Sequence, residues 1–271
     1  MPAVFIGHGS PMNALDNNTY SMAWSDYGQR FADTYLRSMA DRRAYAKPKA
    51  VLAISAHWYV GATMTTAATE PPTIHDFGGF PDQLFQVQYP APGFPALAQK
   101  ALDQLRAFCA PAPVLYTKTW GLDHGTWSVL KHVFPDADVP VVQLSIDANR
   151  PATWHFAAGR LLRKLRDDGY LILGSGNIVH NLGAINWSDN ATPHPSSIGF
   201  HDYVVEALNV GDTDALVNYK QHPHAAYAVP TPEHYLPLLY VLGAAKPGEK
   251  PEIFVDGYEY ASLSMLSVAF G

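Results

Sequence analysis

The chain has 271 residues, 48% of them hydrophobic, which is enough to bury the core of one large domain. Its formal net charge is -6 and its 18 Lys and Arg residues are dispersed, which argues against a nucleic-acid partner. Apolar stretches such as 236–245 are too short for a membrane span of roughly 20 residues, and the N-terminus lacks a signal-peptide pattern, so a cytoplasmic protein is expected.

Short apolar runs rich in Val, Ile and Leu predict buried strands, and they alternate with segments of helical spacing. In chain order, the pattern predicts a strand over 3–6, a helix over 21–41, a strand over 50–55, a helix over 94–109, a strand over 139–146, a helix over 151–168, a strand over 170–173, and late edge strands over 253–255 and 263–268. The fold expected is therefore α/β: a single domain over residues 1–271 with a central, mostly parallel sheet flanked by helices. The active site is expected at the carboxyl ends of the strands.

The segment 70–95 interrupts this alternation with six prolines and three glycines around several aromatic residues. Its aromatic side chains need a surface to pack against, so we expect an ordered, functional loop. The single cysteine, Cys109, excludes an internal disulfide and a thiolate metal site, and is expected to be a small buried residue.

Predicted strands end in a shared pattern, in which an apolar run gives way to small residues and then to a histidine. The histidines concerned are His8, His57 and His180. Because loops converge at the carboxyl edge of a parallel sheet, these side chains are expected to meet there. Imidazole is a good ligand for zinc and iron, so the pattern predicts a metal site.

A fourth candidate lies at the start of a late helix, which Thr231 is expected to cap and Pro232 to open. Glu233 and His234 would then occupy its first turn, and either side chain could face the site. Pro237 cannot donate a backbone hydrogen bond there, so the turn is expected to be irregular.

His124 lies between two tryptophans, in the segment 120–127, and such aromatic walls suit a planar substrate. Its neighbour Asp123 is expected to be structural. The other histidines have simpler interpretations: His132, His155 and His201 are expected as hydrogen-bonded rings within helices, and His222 and His224 in an exposed loop.

Six segments together resemble the class III extradiol ring-cleavage dioxygenases of the LigB superfamily, in particular the 4,5-DOPA extradiol dioxygenase branch. They are Gly7 to Met12, Ser55 to Trp58, Pro71 to Pro81, Gly121 to Gly125, Ser175 to Asn181 and Pro230 to Pro237. They follow in order along nearly the whole chain, and as a set they are specific, although Gly-His-Gly alone would be weak.

The resemblance implies a metal centre formed by His8, His57 and His234, with His180 as a further ligand or as an acid/base group. It implies that His124 lines the pocket, where it could also transfer protons. The related protocatechuate-cleaving branch uses two histidines and one glutamate, so Glu233 stays an alternative to His234. The cofactor implied is Fe(II); Zn(II) could occupy the same ligands but cannot change oxidation state. The substrates implied are O2 and a catechol such as DOPA, opened to a muconic semialdehyde.

Two other functions are compatible with an open histidine site. A zinc-dependent hydrolase would use a metal-activated hydroxide, and it would need neither O2 nor a catechol. A non-catalytic, metal-binding member of the superfamily would show no turnover at all. Fe(II)-dependent oxygen consumption with a catechol separates the expected dioxygenase from both.

Overall fold

The computed structural model describes residues 1–32, 45–188 and 191–271. The strands in these ranges are β1 (Ala3–Gly7), β2 (Ala50–Val60), β3 (Thr63–Thr66), β4 (Val114–Thr117), β5 (Val141–Asp147), β6 (Tyr170–Gly176), β7 (Pro251–Val255), β8 (Tyr258–Glu259), β9 (Leu263–Ser264) and β10 (Ser267–Phe270). Eight of them form one sheet in the order β4-β3-β5-β2-β6-β1-β10-β7, and β8 pairs with β9. The central strands β5, β2, β6 and β1 are parallel, whereas β10 and β7 close one edge in antiparallel fashion.

Helices cover both faces of the sheet. They are α1 (Thr19–Gln29), α2 (Asp82–Phe85), α3 (Pro95–Cys109), α4 (His124–Val133), α5 (Ala152–Leu162), α6 (Lys164–Asp167), α7 (Pro195–Val210), α8 (Thr213–Val217), α9 (Ala225–Ala228) and α10 (Leu236–Ala244), with short 3-10 turns at Pro11–Ala14, Leu182–Ala184 and Tyr219–Gln221. In the described parts of the chain, no helix is both long enough and apolar enough to cross a membrane.

Alternate residues of the central strands face two separate cores, as the pleat of a strand requires. In β2, Leu52 and Ile54 pack in the core that holds residues of α3, α5 and α10. Val51 and Ala53 pack in the opposite core, with residues of α1 and α4. Burial on both faces explains why these strands are continuous apolar runs, and it confirms the predicted α/β architecture.

The predicted elements agree with the structure at their centres and differ at some ends. The helix predicted over 21–41 begins at Thr19 and ends at Gln29, and residues 33–41 of that prediction lie outside the described residues. The helix predicted over 151–168 is divided at Arg163 into α5 and α6. The late segment 263–268 is likewise divided, into β9 and β10, and β7 forms the predicted antiparallel edge.

The strand predicted over 50–55 continues to Val60 because its pairing changes register. Ile54 of β2 pairs with Leu144 of β5, and the next paired residues are Tyr59 and Ile146. The stretch between these pairs is therefore longer in β2 than in β5. Bulges of this kind re-aim side chains near active sites. His57 lies in this irregular stretch and therefore inside β2, rather than after it as the sequence predicted.

Candidate metal centre

Five histidines line one cavity of about 710 Å³ at the carboxyl ends of the parallel strands. They are His8 after β1, His57 within β2, His124 at the first position of α4, His180 after β6, and His234 just before α10. The ends of β1, β6 and β2 are adjacent because these strands are neighbours in the sheet. The structure therefore brings together every histidine that was predicted for the site.

His8, His57 and His234 form a compact triangle. The ring centroid of His8 lies 5.0 Å from that of His57 and 5.3 Å from that of His234, and the His57 and His234 centroids are 5.1 Å apart. Nε2 of His57 lies 3.1 Å from Nε2 of His8. Two imidazole nitrogens at this distance require a shared proton or a cation between them, because neither lone pair can satisfy the other.

The outer nitrogen of His8 is fixed by Ser175. Nδ1 of His8 lies 3.0 Å from the Ser175 hydroxyl, and that hydroxyl donates its own hydrogen to the carbonyl oxygen of Gly125. Because a serine has one hydroxyl hydrogen, Ser175 must accept from Nδ1–H of His8. The Nε2 lone pair of His8 is then directed into the site in the form that binds a metal.

The outer nitrogen of His234 also lies beside an acceptor, which here is a carboxylate. Nδ1 of His234 lies 3.2 Å from Oε1 of Glu233, which also accepts from the Thr231 hydroxyl at 2.7 Å. Nε2 of His234 is buried and has no hydrogen-bond partner among the residues that the structure describes. An unpaired buried nitrogen is costly, and a metal ion at this point would satisfy it.

The local fold around His234 differs from the prediction. The helix begins at Leu236, so Glu233 and His234 lie in a turn before it, and Thr231 bonds to Glu233 instead of capping the helix. Pro237 occupies the first turn of α10, where its missing N–H has no consequence. The turn leaves the Glu233 carboxylate against the outer nitrogen of His234.

Asp76 joins two histidines of the site, a role that the sequence pattern does not predict. Its Oδ2 lies 3.2 Å from Nδ1 of His57, and its Oδ1 lies 3.0 Å from Nδ1 of His124. Oδ1 also accepts from the backbone N–H of His124 at 2.9 Å. Burial alone would raise the pKa of Asp76, but the hydrogen bonds and charge of His124, together with His57, hold it at about 2. The ionised carboxylate orients both rings.

His124 stands beside the histidine triangle. Its ring centroid is 3.8 Å from that of His57 and 5.7 Å from that of His8, and ligand atoms of these three residues lie within 4.8 Å of one another. A buried triad of His8, His57 and His124 could therefore also hold a metal. Asp123 caps α4 by accepting from Thr126 N, which agrees with the structural role expected for it.

His180 stacks on His234, with ring centroids 3.4 Å apart and an angle of 5° between the rings. Burial, reinforced by the charge of His124, lowers the pKa of His180 to about 4. Burial also lowers the pKa of His8, His57 and His234 well below the usual range. All four rings are neutral at pH 7, as a metal ligand or a proton acceptor must be.

The histidines with simpler interpretations lie outside the cavity lining. His155 contacts the Tyr240 hydroxyl at 3.0 Å, and His201 contacts that of Ser264 at 2.9 Å, as hydrogen-bonded rings within helices should. His222 and His224 are partly buried and not exposed as expected, because His222 stacks on Tyr203 at 4.4 Å. Cys109 is buried, as expected.

The model of the family described as "Catalytic LigB subunit of aromatic ring-opening dioxygenase" matches residues 2–271. The chain belongs to the LigB family. Relatives of this LigB protein include the 4,5-DOPA dioxygenase extradiol of Escherichia coli K12, 48% identical over 100% of this chain and 95% of the relative. The 4,5-DOPA dioxygenase extradiol of Beta vulgaris is 35% identical over 98% of this chain and 95% of its own.

Among solved structures, the LigB protein is similar to "uncharacterized protein JW3007 from Escherichia coli K12". The TM-score is 0.81 at 44% sequence identity, with 100% of both chains covered. The names of the relatives support an oxygenase of the extradiol dioxygenase type, and the fold predicted from the sequence is confirmed.

Proposed function

We propose that the protein is a non-haem Fe(II)-dependent extradiol dioxygenase that uses O2 to open the ring of a catechol such as DOPA, giving a muconic semialdehyde. The observation that carries the proposal is the orientation of three histidines around one point. His8, His57 and His234 each have Nδ1 beside an acceptor, so that each Nε2 is left for a metal. The LigB family membership supplies the reaction class.

His8, His57 and His234 would hold the metal, and the unpaired, buried Nε2 of His234 supports this set. Fe(II) held there would supply the redox chemistry with O2 and leave positions for both catechol oxygens. Zn(II) fits the same nitrogen ligands but supplies no redox chemistry.

The other two histidines of the cavity would move protons. Nδ1 of His124 faces Asp76, so its Nε2 is the atom available to accept a catechol proton. His180, whose pKa of about 4 keeps it neutral at pH 7, is the second acceptor and could return a proton to the ring-opened product. Phe77, which packs edge-on against His124 at 5.4 Å, gives the planar ring an apolar wall.

We further propose that residues 1–271 act as one catalytic domain, since residues from His8 to Leu263 line the same cavity. The test of the function is anaerobic loading with Fe(II) followed by DOPA and air. The expected result is oxygen consumption together with a new visible absorption of the ring-opened product. Zn(II)-dependent ester or amide hydrolysis without catechol turnover would instead favour a hydrolase, and no turnover of any catechol would favour a non-catalytic protein.

A further inference from the structure

The hairpin formed by β8 and β9 belongs to the wall of the histidine cavity, although it carries no histidine. In this hairpin Tyr258 pairs with Ser264, and Glu259 pairs with Leu263. Leu263 and Tyr260 line the cavity. The hairpin is therefore close enough to the metal centre for its contacts to affect the position of the ligands.

The turn of the hairpin has an unfavourable backbone conformation. Tyr260 and Ala261 have φ angles of 51° and 65°, in the left-handed region that side chains other than glycine rarely adopt. The carbonyl of Tyr260 accepts from Asn186 N at 3.0 Å, and that of Ala261 accepts from His194 N at 3.2 Å. Such a conformation is retained only where the surrounding structure holds it. The hairpin is thus fixed by its neighbours and can fix other segments in turn.

On one side, the hairpin is hydrogen-bonded to the segment that carries His180. His180 forms an isolated antiparallel bridge with a residue of β9. Ser264 N donates to the carbonyl of Val179 at 3.0 Å, and Asn181 N donates to that of Ser262 at 3.1 Å. Backbone hydrogen bonds on both sides of His180 therefore hold this residue against the hairpin.

On the other side, Glu259 contacts the segment that carries His8. Oε2 of Glu259 accepts from the backbone N–H of Ser10 at 3.0 Å, and the carboxylate also bonds to the side chain of Asn13. Nδ2 of Asn13 donates to the carbonyl oxygen of His8 at 3.2 Å. One carboxylate thus holds the turn after His8 both directly and through Asn13.

The contact between Glu259 and this turn is close. Gly9 has a φ angle of 60°, and a Cβ on Gly9 would collide with Oε2 of Glu259 and with Sδ of Met265. Gly9 N donates to Oδ1 of Asn177 at 3.3 Å. The turn is therefore held between the end of β6 and the hairpin. Loss of the Glu259 carboxylate would remove the support on the hairpin side.

Resting on the proposed function, we infer that Glu259 is a positioning residue of the metal centre. It acts through Ser10 and Asn13 on the backbone that carries the ring of His8. The same hairpin is bonded on both sides of His180. It therefore sets the position of a residue proposed to bind the metal relative to a residue proposed to move protons.

Glu259→Ala tests the inference on the metal site itself. The protein is loaded with Co(II), whose visible absorption reports the geometry of its ligands. The affinity for Co(II) is measured by competition with a chelator. We expect about tenfold weaker binding and an altered spectrum, because loss of the support behind a ligating histidine has effects of this order. Wild-type affinity and a wild-type spectrum would overturn the inference.

Glu259→Gln is the conservative variant. Its amide oxygen lies at the same distance along the side chain and can still accept from Ser10 N. The variant should therefore recover most of the Co(II) affinity that Glu259→Ala loses, together with the wild-type spectrum. Equal losses in Glu259→Gln and Glu259→Ala would contradict the role given to the hydrogen bond with Ser10 N.

Asn13→Ala tests the second contact. Because Glu259 and Asn13 act on one turn, the effects of Glu259→Ala and Asn13→Ala on Co(II) affinity should not add in the double variant. Additive effects would contradict the path from Glu259 through Asn13 to His8.

The matched control is Glu249→Ala. Glu249 binds Arg166 at 2.7 and 2.8 Å and is not one of the residues that line the cavity. Its loss should lower the midpoint of urea unfolding and leave the Co(II) affinity and spectrum unchanged. If the control altered the spectrum as much as Glu259→Ala does, global stability would govern the site and the inference would fail.

Catechol turnover distinguishes this inference from the proposed function. Binding of Co(II) requires no turnover. If Glu259→Ala impairs Co(II) binding but the Fe(II)-loaded wild type cleaves no catechol, the inference stands and the proposed function fails. If the wild type cleaves a catechol and Glu259→Ala binds Co(II) normally, the inference alone fails.

Discussion

Oδ2 of Asp76 lies 3.2 Å from Nδ1 of His57, while the other oxygen of the same carboxylate lies 3.0 Å from Nδ1 of His124. One side chain thus orients a residue proposed to bind the metal and a residue proposed to move protons. Asp76 belongs to the loop that also places Phe77 in the cavity. The position of this loop is therefore coupled to both parts of the site.

Asp76→Asn should weaken metal binding and lower kcat without unfolding the protein. An uncharged amide offers one oxygen and forms no ion pair, so at least one of the two rings loses the carboxylate oxygen that lies beside its Nδ1. Loss of such a carboxylate behind a ligating histidine costs about 10- to 100-fold in metal affinity or activity. The measurement is metal affinity by competition with a chelator, together with kcat and KM for a catechol.

The matched control is Asp82→Asn, the same substitution at an exposed carboxylate nearby at the start of α2. It should leave metal affinity and kcat at their wild-type values. Wild-type metal affinity and kcat in Asp76→Asn would show that its contacts with His57 and His124 are dispensable.

His57→Ala and His124→Ala should separate metal binding from proton transfer. His57→Ala is expected to abolish metal binding, because Nε2 of His57 shares the centre of the site with Nε2 of His8. His124→Ala is expected to retain the metal and to lose about 10²- to 10⁴-fold in kcat, as the removal of a general base does. Metal content by elemental analysis and steady-state kinetics measure the two effects.

His234→Ala is the variant that distinguishes the proposed ligands His8, His57 and His234 from the triad His8, His57 and His124. Metal loss is expected in His234→Ala as in His57→Ala. If His124→Ala loses the metal and His234→Ala keeps it, the ligands are His8, His57 and His124, a group whose nitrogens already lie within 4.8 Å of one another.

The central strands and the placement of three site histidines could be predicted from the sequence. Both depend on the order of residues within short segments of the chain. Apolar runs define β1, β2 and β6, and a parallel sheet brings the ends of its strands together whatever loops follow them. The bulge that carries His57 depends on pairing between β2 and β5, so the pattern predicted the strand to end too early. The position of Asp76 could not be predicted because it lies in a proline-rich loop. The path of such a loop is set by tertiary packing, for example by the contact of Phe77 with His124.

Gly125→Ala should loosen the metal site while favouring the helix that carries the residue. A Cβ on Gly125, in the first turn of α4, would come within 2.6 Å of the Ser55 hydroxyl and 2.8 Å of the His57 ring. Alanine favours a helix interior over glycine by about 1 kcal/mol, but the displaced His57 ring should bind metal more weakly. We expect lower metal affinity without a loss of helix content by circular dichroism. Unchanged metal affinity would mean that the His57 ring can shift without cost. Its contact with Asp76 would then not fix the position of the ring.

The stability of the fold should decrease between pH 6.5 and about pH 4 because His155 is buried as a neutral ring. Burial lowers the pKa of His155 from 6.5 to about 4, despite its hydrogen bond to the carbonyl of Arg150. A group whose pKa is lower in the folded state binds protons more readily when unfolded, so its contribution is complete above pH 6.5 and is lost as the pH falls. Between pH 7 and pH 5 the expected loss is about 2 kcal/mol.

His155→Gln isolates this contribution, since glutamine can contact the Tyr240 hydroxyl and the Arg150 carbonyl but does not titrate. The free energy of unfolding is measured by urea denaturation at pH 7 and pH 5 for both proteins. The other buried histidines contribute equally to the two proteins, so the difference between their pH dependences belongs to position 155. We expect the variant to lose about 2 kcal/mol less than the wild type on acidification. Parallel pH dependences would show that His155 is already solvated in the folded protein.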